Sequence, residues 1–195
     1  MPRTRSYDET SVLKGAMQTF RRRGYQGASI RELEEATALK AGSIYNSFGD
    51  KAGLFHASFD YYNQAVLRGR IERFAPPEAG LAGLRDLFAS LMQEPNDESY
   101  GCLITNSALE FDTIGDAHRH VRDGLDILSV TFADRLHAAH NSGRLRAGID
   151  LDVAAMKLLA LYQGILVLVR ARQDKHALER LVAAEFKELE ARDDI

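Results

Sequence analysis

Residues 29–51 read SIRELEEATALKAGSIYNSFGDK, which is the most informative segment of the chain. Ser29 and Glu32 have the spacing of a capping box, in which each side chain accepts a hydrogen bond from the other residue's backbone. After a short turn, Ile44 and Phe48 stand four residues apart, so that both lie on one face of a second helix. The pattern predicts two short helices joined by a tight turn, the arrangement with which helix-turn-helix proteins read the major groove of DNA.

The charge of the chain is unevenly distributed. The 195 residues carry a formal net charge of −3, with 45% hydrophobic and 27% charged residues, which is ordinary for a folded domain. Residues 1–51 hold nine Lys or Arg and six Asp or Glu, a net +3, which leaves −6 for the remaining residues. A basic end on an acidic body favours a phosphate-facing module weakly, since a chance asymmetry of this size is also plausible.

Cysteine content and hydropathy favour a cytoplasmic protein. Cys102 is the only cysteine, so the chain cannot form an intramolecular disulfide. The first residues contain no apolar signal region. The most apolar run, residues 158–169, is too short to span a bilayer.

Apolar residues recur at helical spacing along most of the chain, and β-branched residues are sparse. We therefore predict an all-α fold of about nine helices. We predict a three-helix DNA-binding domain over residues 1–51 and a second helical domain, suited to dimerisation, over residues 52–195; a ligand-binding role for the second domain is implied only by a family resemblance. Beyond the first three helices, we expect helices at about 51–74, 80–94, 103–111, 123–140, 151–172 and 176–192.

The N-terminal motif is specific enough to identify a family. The capping box, the turn and the run from Gly42-Ser-Ile-Tyr45 through Phe48-Gly to Lys51 resemble the TetR/AcrR family of transcriptional repressors. The resemblance implies a homodimer that binds a palindromic operator and releases it when a small ligand enters the C-terminal domain. Where the family usually has Gly and Ser, this chain has Ala38 and Lys40, and Ala41 replaces a basic residue or Pro. These departures put the operator sequence in doubt, and not the fold.

The second helix of the motif supplies most of the candidate DNA contacts. Small residues at its start allow close approach to the duplex, Tyr45 offers a ring and a hydroxyl, and Asn46 can pair with adenine. Lys40 cannot cap this helix and opposes its dipole, which a nearby phosphate would offset. The predicted DNA-contacting residues are Ser29, Lys40, Ala41, Gly42, Ser43, Tyr45, Asn46 and Lys51. The alternative is a helical hairpin that only builds the core.

The last two helices are predicted to form the dimer interface. Residues 158–169 are apolar on nearly every face, which requires burial on more than one side. Gly164 inside this helix costs about 1 kcal/mol relative to Ala, which a close helix approach would explain. The predicted interface residues are Leu161, Ile165, Leu168, Leu178, Leu181, Val182 and Phe186. An intramolecular hairpin in a monomer is the alternative.

The predicted ligand pocket follows from the resemblance. Its candidate walls are Phe59, Tyr62, Asn63, Phe88, Leu91, Cys102, Asn106 and Tyr162, each of which can also be a core residue. Cys102 lies in a segment, 101–110, in which some members of the family use a cysteine to sense electrophiles or oxidants. A thiolate at a helix N-terminus would be reactive, but a small buried packing residue is the favoured interpretation.

Other classes of function find little support in the sequence. A metal site built from His118, His120, His137 and His140 with Glu110, Asp112 or Asp116 is conceivable, but surface histidines are common. No phosphate-binding loop, dinucleotide glycine pattern or hydrolase motif is present, so we expect no enzyme activity and no cofactor. The expected partners are double-stranded operator DNA, a small-molecule effector and a second copy of the chain. The second hypothesis is a ligand-binding dimer that has lost specific DNA reading, which the departures at Lys40 and Ala41 favour.

Overall fold

A computed structural model describes residues 7–93, 100–110 and 116–191, and these residues are predominantly helical. The α-helices are α1 Glu9–Gly27, α2 Ile30–Thr37, α3 Ala41–Phe48, α4 Lys51–Tyr61, α5 Arg68–Phe74, α6 Gly80–Ala89, α7 Leu103–Ala108, α8 Asp116–Asn141, α9 Leu151–Arg170 and α10 Lys175–Leu189. Within these ranges the β-structure amounts to one isolated bridge between Leu145 and Glu190. The predicted all-α class is confirmed.

Two predicted helices differ from the observed ones. Helical residues run from Lys51 to Phe74 as expected, but Tyr62–Leu67 between α4 and α5 is a π-helix. Helix α8 begins at Asp116 and not near residue 123, because the charged residues before its apolar stripe are helical too. The predicted loop at 95–99 and most of the predicted turn at 113–116 lie outside the described residues.

The chain forms two compact units, Met1–Val66 with Leu103–Arg122, and Leu67–Cys102 with Asp123–Ile195. In the first unit, the ring of Phe55 on α4 meets Phe20 of α1 edge-on at 5.0 Å and Phe59 at 5.6 Å. All three rings are buried, so they join the first helix to the fourth. The predicted domain boundary after Lys51 stays a prediction.

The core of the second unit is built around Phe88 on α6. Its ring lies 5.7 Å from Phe132 of α8, 5.3 Å from Tyr162 of α9 and 5.5 Å from Phe186 of α10. Buried aromatic pairs in such edge-on or tilted geometries contribute about 0.5–1.5 kcal/mol each beyond their area. The cluster therefore holds together the helices of this unit.

Helix α9 is the one described helix that is long and apolar enough to cross a membrane by length and composition. The predicted exclusion rested on residues 158–169 alone, and the whole helix is longer. Its Lys157 Nζ lies 2.7 Å from Glu185 on α10, and this hydrogen bond raises the pKa of the lysine. A charged lysine paired with a neighbouring helix, together with Tyr162 in the aromatic cluster, favours a core helix over a membrane span.

Candidate nucleic-acid interface

Helix α2 begins with the predicted capping box. The Ser29 hydroxyl accepts the backbone N–H of Glu32 at 3.2 Å, and the Glu32 carboxylate accepts the backbone N–H of Ser29 at 3.0 Å. The backbone and side-chain hydrogen bonds from Ser29, with a smaller contribution from Arg23, lower the pKa of Glu32. The predicted role of Ser29 in this cap is confirmed.

The hydroxyl of Ser29 has little capacity left for DNA. Its single hydrogen is donated to Glu32 Oε2 at 2.9 Å, and a phosphate oxygen only accepts hydrogen bonds. A phosphate contact from Ser29 stays a prediction, and it requires this side chain to exchange one acceptor for another.

The turn between α2 and α3 places a strained residue in the motif. Ala38 ends α2 with φ 56°, in the left-handed region. This conformation costs a residue with a Cβ about 1–2 kcal/mol relative to glycine. The geometry therefore gives a physical reason for a glycine at this position.

Helix α3 has one buried face and one open face. Ile44 is completely buried, whereas Tyr45 keeps 47% of its surface exposed. Gly42, Ser43 and Asn46 are exposed as well. These four predicted DNA-contacting residues therefore share the solvent-facing side of the helix, whereas the fifth, Ala41, is half-buried. Ile44 anchors the opposite side in the core.

The start of α3 is capped by a residue that the sequence analysis missed. Lys40 occupies the capping position without a side-chain cap, as its chemistry dictates. A carboxylate oxygen of Glu34 on α2 accepts the backbone N–H of Ala41 at 2.7 Å instead. This acid stabilises the positive end of the helix dipole, so no phosphate is needed for that purpose. The separation of Glu34 and Ala41 in sequence hides the pair from a search for adjacent capping motifs.

Lys51 begins α4 on the same N-terminal module. Asp50 caps this helix by accepting the backbone N–H of Gly53 at 2.7 Å. The Lys51 side chain is half-buried, and its Nζ lies 4.6 Å from the centre of the Tyr25 ring. The ammonium thus lies against an aromatic ring of the same unit, which the sequence motif alone did not indicate.

The predicted ligand-pocket residues are mostly buried and are spread over both units. Phe59, Tyr62, Asn63 and Asn106 belong to the first unit, and Phe88, Leu91, Cys102 and Tyr162 to the second. All except the half-buried Asn106 are buried, Cys102 being 2% exposed. Phe88 and Tyr162 pack on each other, and the amide of Asn106 donates to the carbonyl of Arg21 at 3.1 Å. Their assignment to a ligand pocket stays a prediction.

A buried polar cluster between α4, the π-helix and α8 was also missed. The Asn63 amide donates to the backbone carbonyl of His120 at 3.0 Å, and His120 Nδ1 lies 2.9 Å from Asp60 Oδ1. The side chains of Asn63 and His120 are 3% and 2% exposed. Among the described residues, neither Asn63 Oδ1 nor His120 Nε2 has a hydrogen-bond partner. Buried polar atoms are rarely left in that state.

The predicted dimer-interface residues fall into two groups. Ile165, Leu178, Val182 and Phe186 are buried within their own unit, whereas Leu161 is half-buried and Leu168 and Leu181 are 37% and 44% exposed. Helix α9 exposes further apolar side chains on Val153, Met156 and Val167. Of the predicted set, only the second group can reach a partner without unfolding the core. The interface itself stays a prediction.

The histidines do not form a metal site within the ranges that the structure describes. No group of three or more His, Cys, Asp or Glu side chains there has a geometry that could hold a metal ion. His137 and His140 are exposed on α8, whereas His120 is buried beside Asp60, so the candidate histidines have different surroundings. Asp112 lies outside the described residues.

Two family models match the chain. The model described as "Bacterial regulatory proteins, tetR family" matches residues 12–58. The model described as "Tetracyclin repressor-like, C-terminal domain" matches residues 79–184, which is more than half of the chain. The first match contains α2, α3 and most of α1 and α4.

Curated and structural relatives agree with these models. The HTH-type transcriptional repressor AcnR of Corynebacterium efficiens is 26% identical over 155 residues, covering 80% of this chain and 78% of that protein. A cysteine mutant of the TetR family regulator CifR, in complex with 26-bp double-strand operator DNA, is 26% identical with a TM-score of 0.81, covering 95% of this chain and 98% of its own. A TetR transcriptional regulator from Chloroflexus aurantiacus is 27% identical with a TM-score of 0.80, covering 94% and 98%.

Proposed function

Because this chain belongs to the TetR family of transcriptional regulators, we propose that it is a homodimeric, sequence-specific DNA-binding repressor. It leaves a palindromic operator when a small molecule or an electrophile binds. Members of the family regulate transcription and are not enzymes. A DNA-binding repressor acts where the chromosome is, so the proposed location is the cytoplasm.

The exposed face of α3 is the observation that carries the proposal. A helix that reads bases needs small residues where it meets the duplex and polar side chains at base-edge distance. Gly42 and Ser43 supply the first, and Tyr45 and Asn46 supply the second. Ile44, fully buried, fixes the rotation of the helix so that this face points to solvent. Lys51 then suits a phosphate contact that fixes register without reading sequence.

Selection of binding sites from a random duplex pool at physiological salt tests this function. We expect enrichment of a palindrome with half-sites about one helical turn apart. Tyr45→Ala should abolish that enrichment while leaving the fold intact, because Tyr45 packs only part of its surface on the protein. Binding without sequence preference that disappears as salt rises would contradict the proposal and favour a ligand-binding dimer.

The homodimer is proposed on the exposed face of α9 and α10. By helical spacing, Val153, Met156 and Val167 share one face of α9 with Gly164. A Cβ added to Gly164 would meet no atom of its own protomer within 4 Å, apart from its chain neighbours and the nearby backbone of its own helix. The packing of the protomer therefore does not require this glycine, whereas close approach of a second helix would. Exposed Leu181 on α10 extends the apolar surface.

Two variants test the interface without disturbing the core. Leu181→Glu and Gly164→Leu should both yield monomers by light scattering, with unchanged helical content and weakened operator binding. Glu179→Leu, an exposed position on the same helix as Leu181, is the matched control and should stay dimeric. Dimers of normal affinity in both test variants would refute this surface as the interface.

The effector is proposed to hydrogen-bond to Asn63. This residue lies in the π-helix, a departure from α-geometry that is frequent at functional sites. Its buried Oδ1 atom lacks a partner among the described residues, so a ligand donor there would relieve a desolvation cost of about 1–3 kcal/mol. In a thermal-shift screen, compounds that stabilise the wild type and weaken its operator binding should lose both effects on Asn63→Leu.

A release by electrophiles is tested separately at Cys102. The thiol is 2% exposed, which favours a packing role over a reactive one. Cys102 is the only thiol in the chain, so N-ethylmaleimide should leave the wild-type protein on DNA if this cysteine only packs. A release of the wild type by this reagent is then repeated with Cys102→Ser. Loss of the response in Cys102→Ser would instead make it the sensor.

A further inference from the structure

Tyr25 lies in the last turn of α1, beside the candidate phosphate-binding lysine. Its ring meets the edge of Phe55 at 5.1 Å and stacks beside Phe20 at 6.3 Å. On another side, Lys51 Nζ lies 4.6 Å from the ring centre. A cation at this distance is attracted by the negative face of an aromatic ring. The ring thus connects the aromatic core of the first unit to the start of α4.

The backbone of Tyr25 is held by a carboxylate from a distant part of the chain. Glu110, in the turn after α7, accepts the backbone N–H of Tyr25 at 2.7 Å with Oε2 and that of Gln26 at 2.5 Å with Oε1. Both oxygens of the acid are used, one for each donor. Charge-assisted hydrogen bonds of this kind are shorter and stronger than neutral ones.

The local backbone is built for this contact. Gly24 has φ 75° and ψ 173°, which breaks the helical path of α1 and presents the next two N–H groups to the carboxylate. A Cβ on Gly24 would lie 2.9 Å from Glu110 Oε2. The position therefore requires glycine for its dihedral angle and for the space that the acid occupies.

From these contacts we infer that Tyr25 and Glu110 are positioning residues for DNA binding. Glu110 fixes the backbone of Tyr25, and the ring of Tyr25 holds the Lys51 ammonium in place for an operator phosphate. A long lysine side chain otherwise loses rotamer freedom when it binds, and holding it beforehand reduces that loss. The inference rests on the proposed function, since it requires that Lys51 contacts DNA.

A double-mutant cycle on operator affinity tests the inference. Four proteins are compared in fluorescence anisotropy on the selected operator over a range of salt concentrations: wild type, Tyr25→Leu, Lys51→Ala and the double variant. We expect Lys51→Ala to reduce the salt slope by about 0.9 for each phosphate that the protein no longer neutralises. Tyr25→Leu should weaken binding roughly three-fold per subunit, the size of a partly exposed cation–π interaction.

The coupling between Tyr25 and Lys51 shows whether the tyrosine affects operator affinity through the lysine. In the Lys51→Ala background, Tyr25→Leu should change affinity by less than about two-fold, since the lysine that it positions is gone. Glu110→Ala should behave in the same way as Tyr25→Leu. Tyr25→Phe is the matched control, because it keeps the ring, and should bind like the wild type. Thermal melting of each variant checks the fold.

The outcomes separate this inference from the proposed function. If Tyr25→Leu weakens binding equally with and without Lys51, the tyrosine has only a structural role and the inference fails. It also fails if Lys51→Ala binds like the wild type, although the repressor function then stands on α3. If the wild type selects no operator, both the proposed function and the inference fail.

Discussion

The cap on α3 makes a prediction that tests the placement of the candidate recognition helix. Glu34→Ala removes the acceptor for the Ala41 N–H, a hydrogen bond of 2.7 Å at the positive end of the helix. Loss of a helix N-cap costs about 1 kcal/mol. In a chain of 195 residues, a change of that size lowers the melting temperature by about 2–4 °C.

Glu35→Ala is the matched control for this prediction. Glu35 lies next to Glu34 on the same helix, carries the same charge and is exposed. It pairs with Arg31 at 3.3 Å across one helical turn, an arrangement that contributes about 0.2–0.5 kcal/mol. We expect Glu35→Ala to melt close to the wild type.

Operator affinity should rank Glu34→Ala and Glu35→Ala in the same order as their melting temperatures. Each removes one negative charge beside the proposed DNA surface, so the electrostatic gain in affinity is similar for both. Only Glu34→Ala frays the first turn of α3, where Gly42 and Ser43 are presented. A free-energy penalty of about 1 kcal/mol weakens binding by about five-fold relative to the control. Equal melting and equal affinity of the two variants would refute the cap.

Three further substitutions should change the stability of the fold in a definite direction. Ala38→Gly should raise the free energy of unfolding by up to about 1 kcal/mol, because it relieves the left-handed backbone strain. Ala36→Gly, inside α2, should lower it by about that amount. Chemical denaturation measures both changes. Glu32→Gln should melt below the wild type at neutral pH. The difference in melting temperature should shrink as the pH falls through the pKa of Glu32, which is lowered from its usual 4.5. A carboxyl group with a lowered pKa stabilises the fold only while it is ionised. Lys157→Met should cost about 1–3 kcal/mol by leaving the nearly buried Glu185 without its 2.7 Å partner, and adding Glu185→Leu should recover most of that stability in urea titrations.

Short-range patterns were the part of the fold that the sequence predicted well. The capping box of Ser29 and Glu32, the buried Ile44 and the exposed Tyr45 all follow from spacings of three or four residues. At such spacings the helix itself determines which side chains meet. The candidate DNA-facing surface was therefore accessible before any tertiary structure was known.

Contacts between distant residues were not accessible in this way. Glu110 meets Tyr25 across 85 positions, and His120 approaches Asp60 from a separate helix. Nothing in the sequence around either acid marks its partner, because only the packing of α7 and the start of α8 within the first unit brings them together. The same reason explains the dimer prediction, since the apolar seam of α10 includes Phe186, which its own protomer buries.

Most acidic residues of the N-terminal module, residues 1–51, lie at helix starts, so the formal net charge does not describe their effect on a nearby phosphate. Residues 1–51 contain six acids, and four of them accept backbone N–H groups at helix starts: Asp8 for α1, Asp50 for α4, and Glu32 and Glu34 for the two helices of the motif. Each carboxylate meets the positive end of a helix dipole, so its field at the proposed DNA surface is partly compensated. Lys40 and Lys51 stand at the N-terminal ends of α3 and α4, where the dipole adds to their charge. The effective charge of the module toward a phosphate backbone is therefore more positive than its formal value.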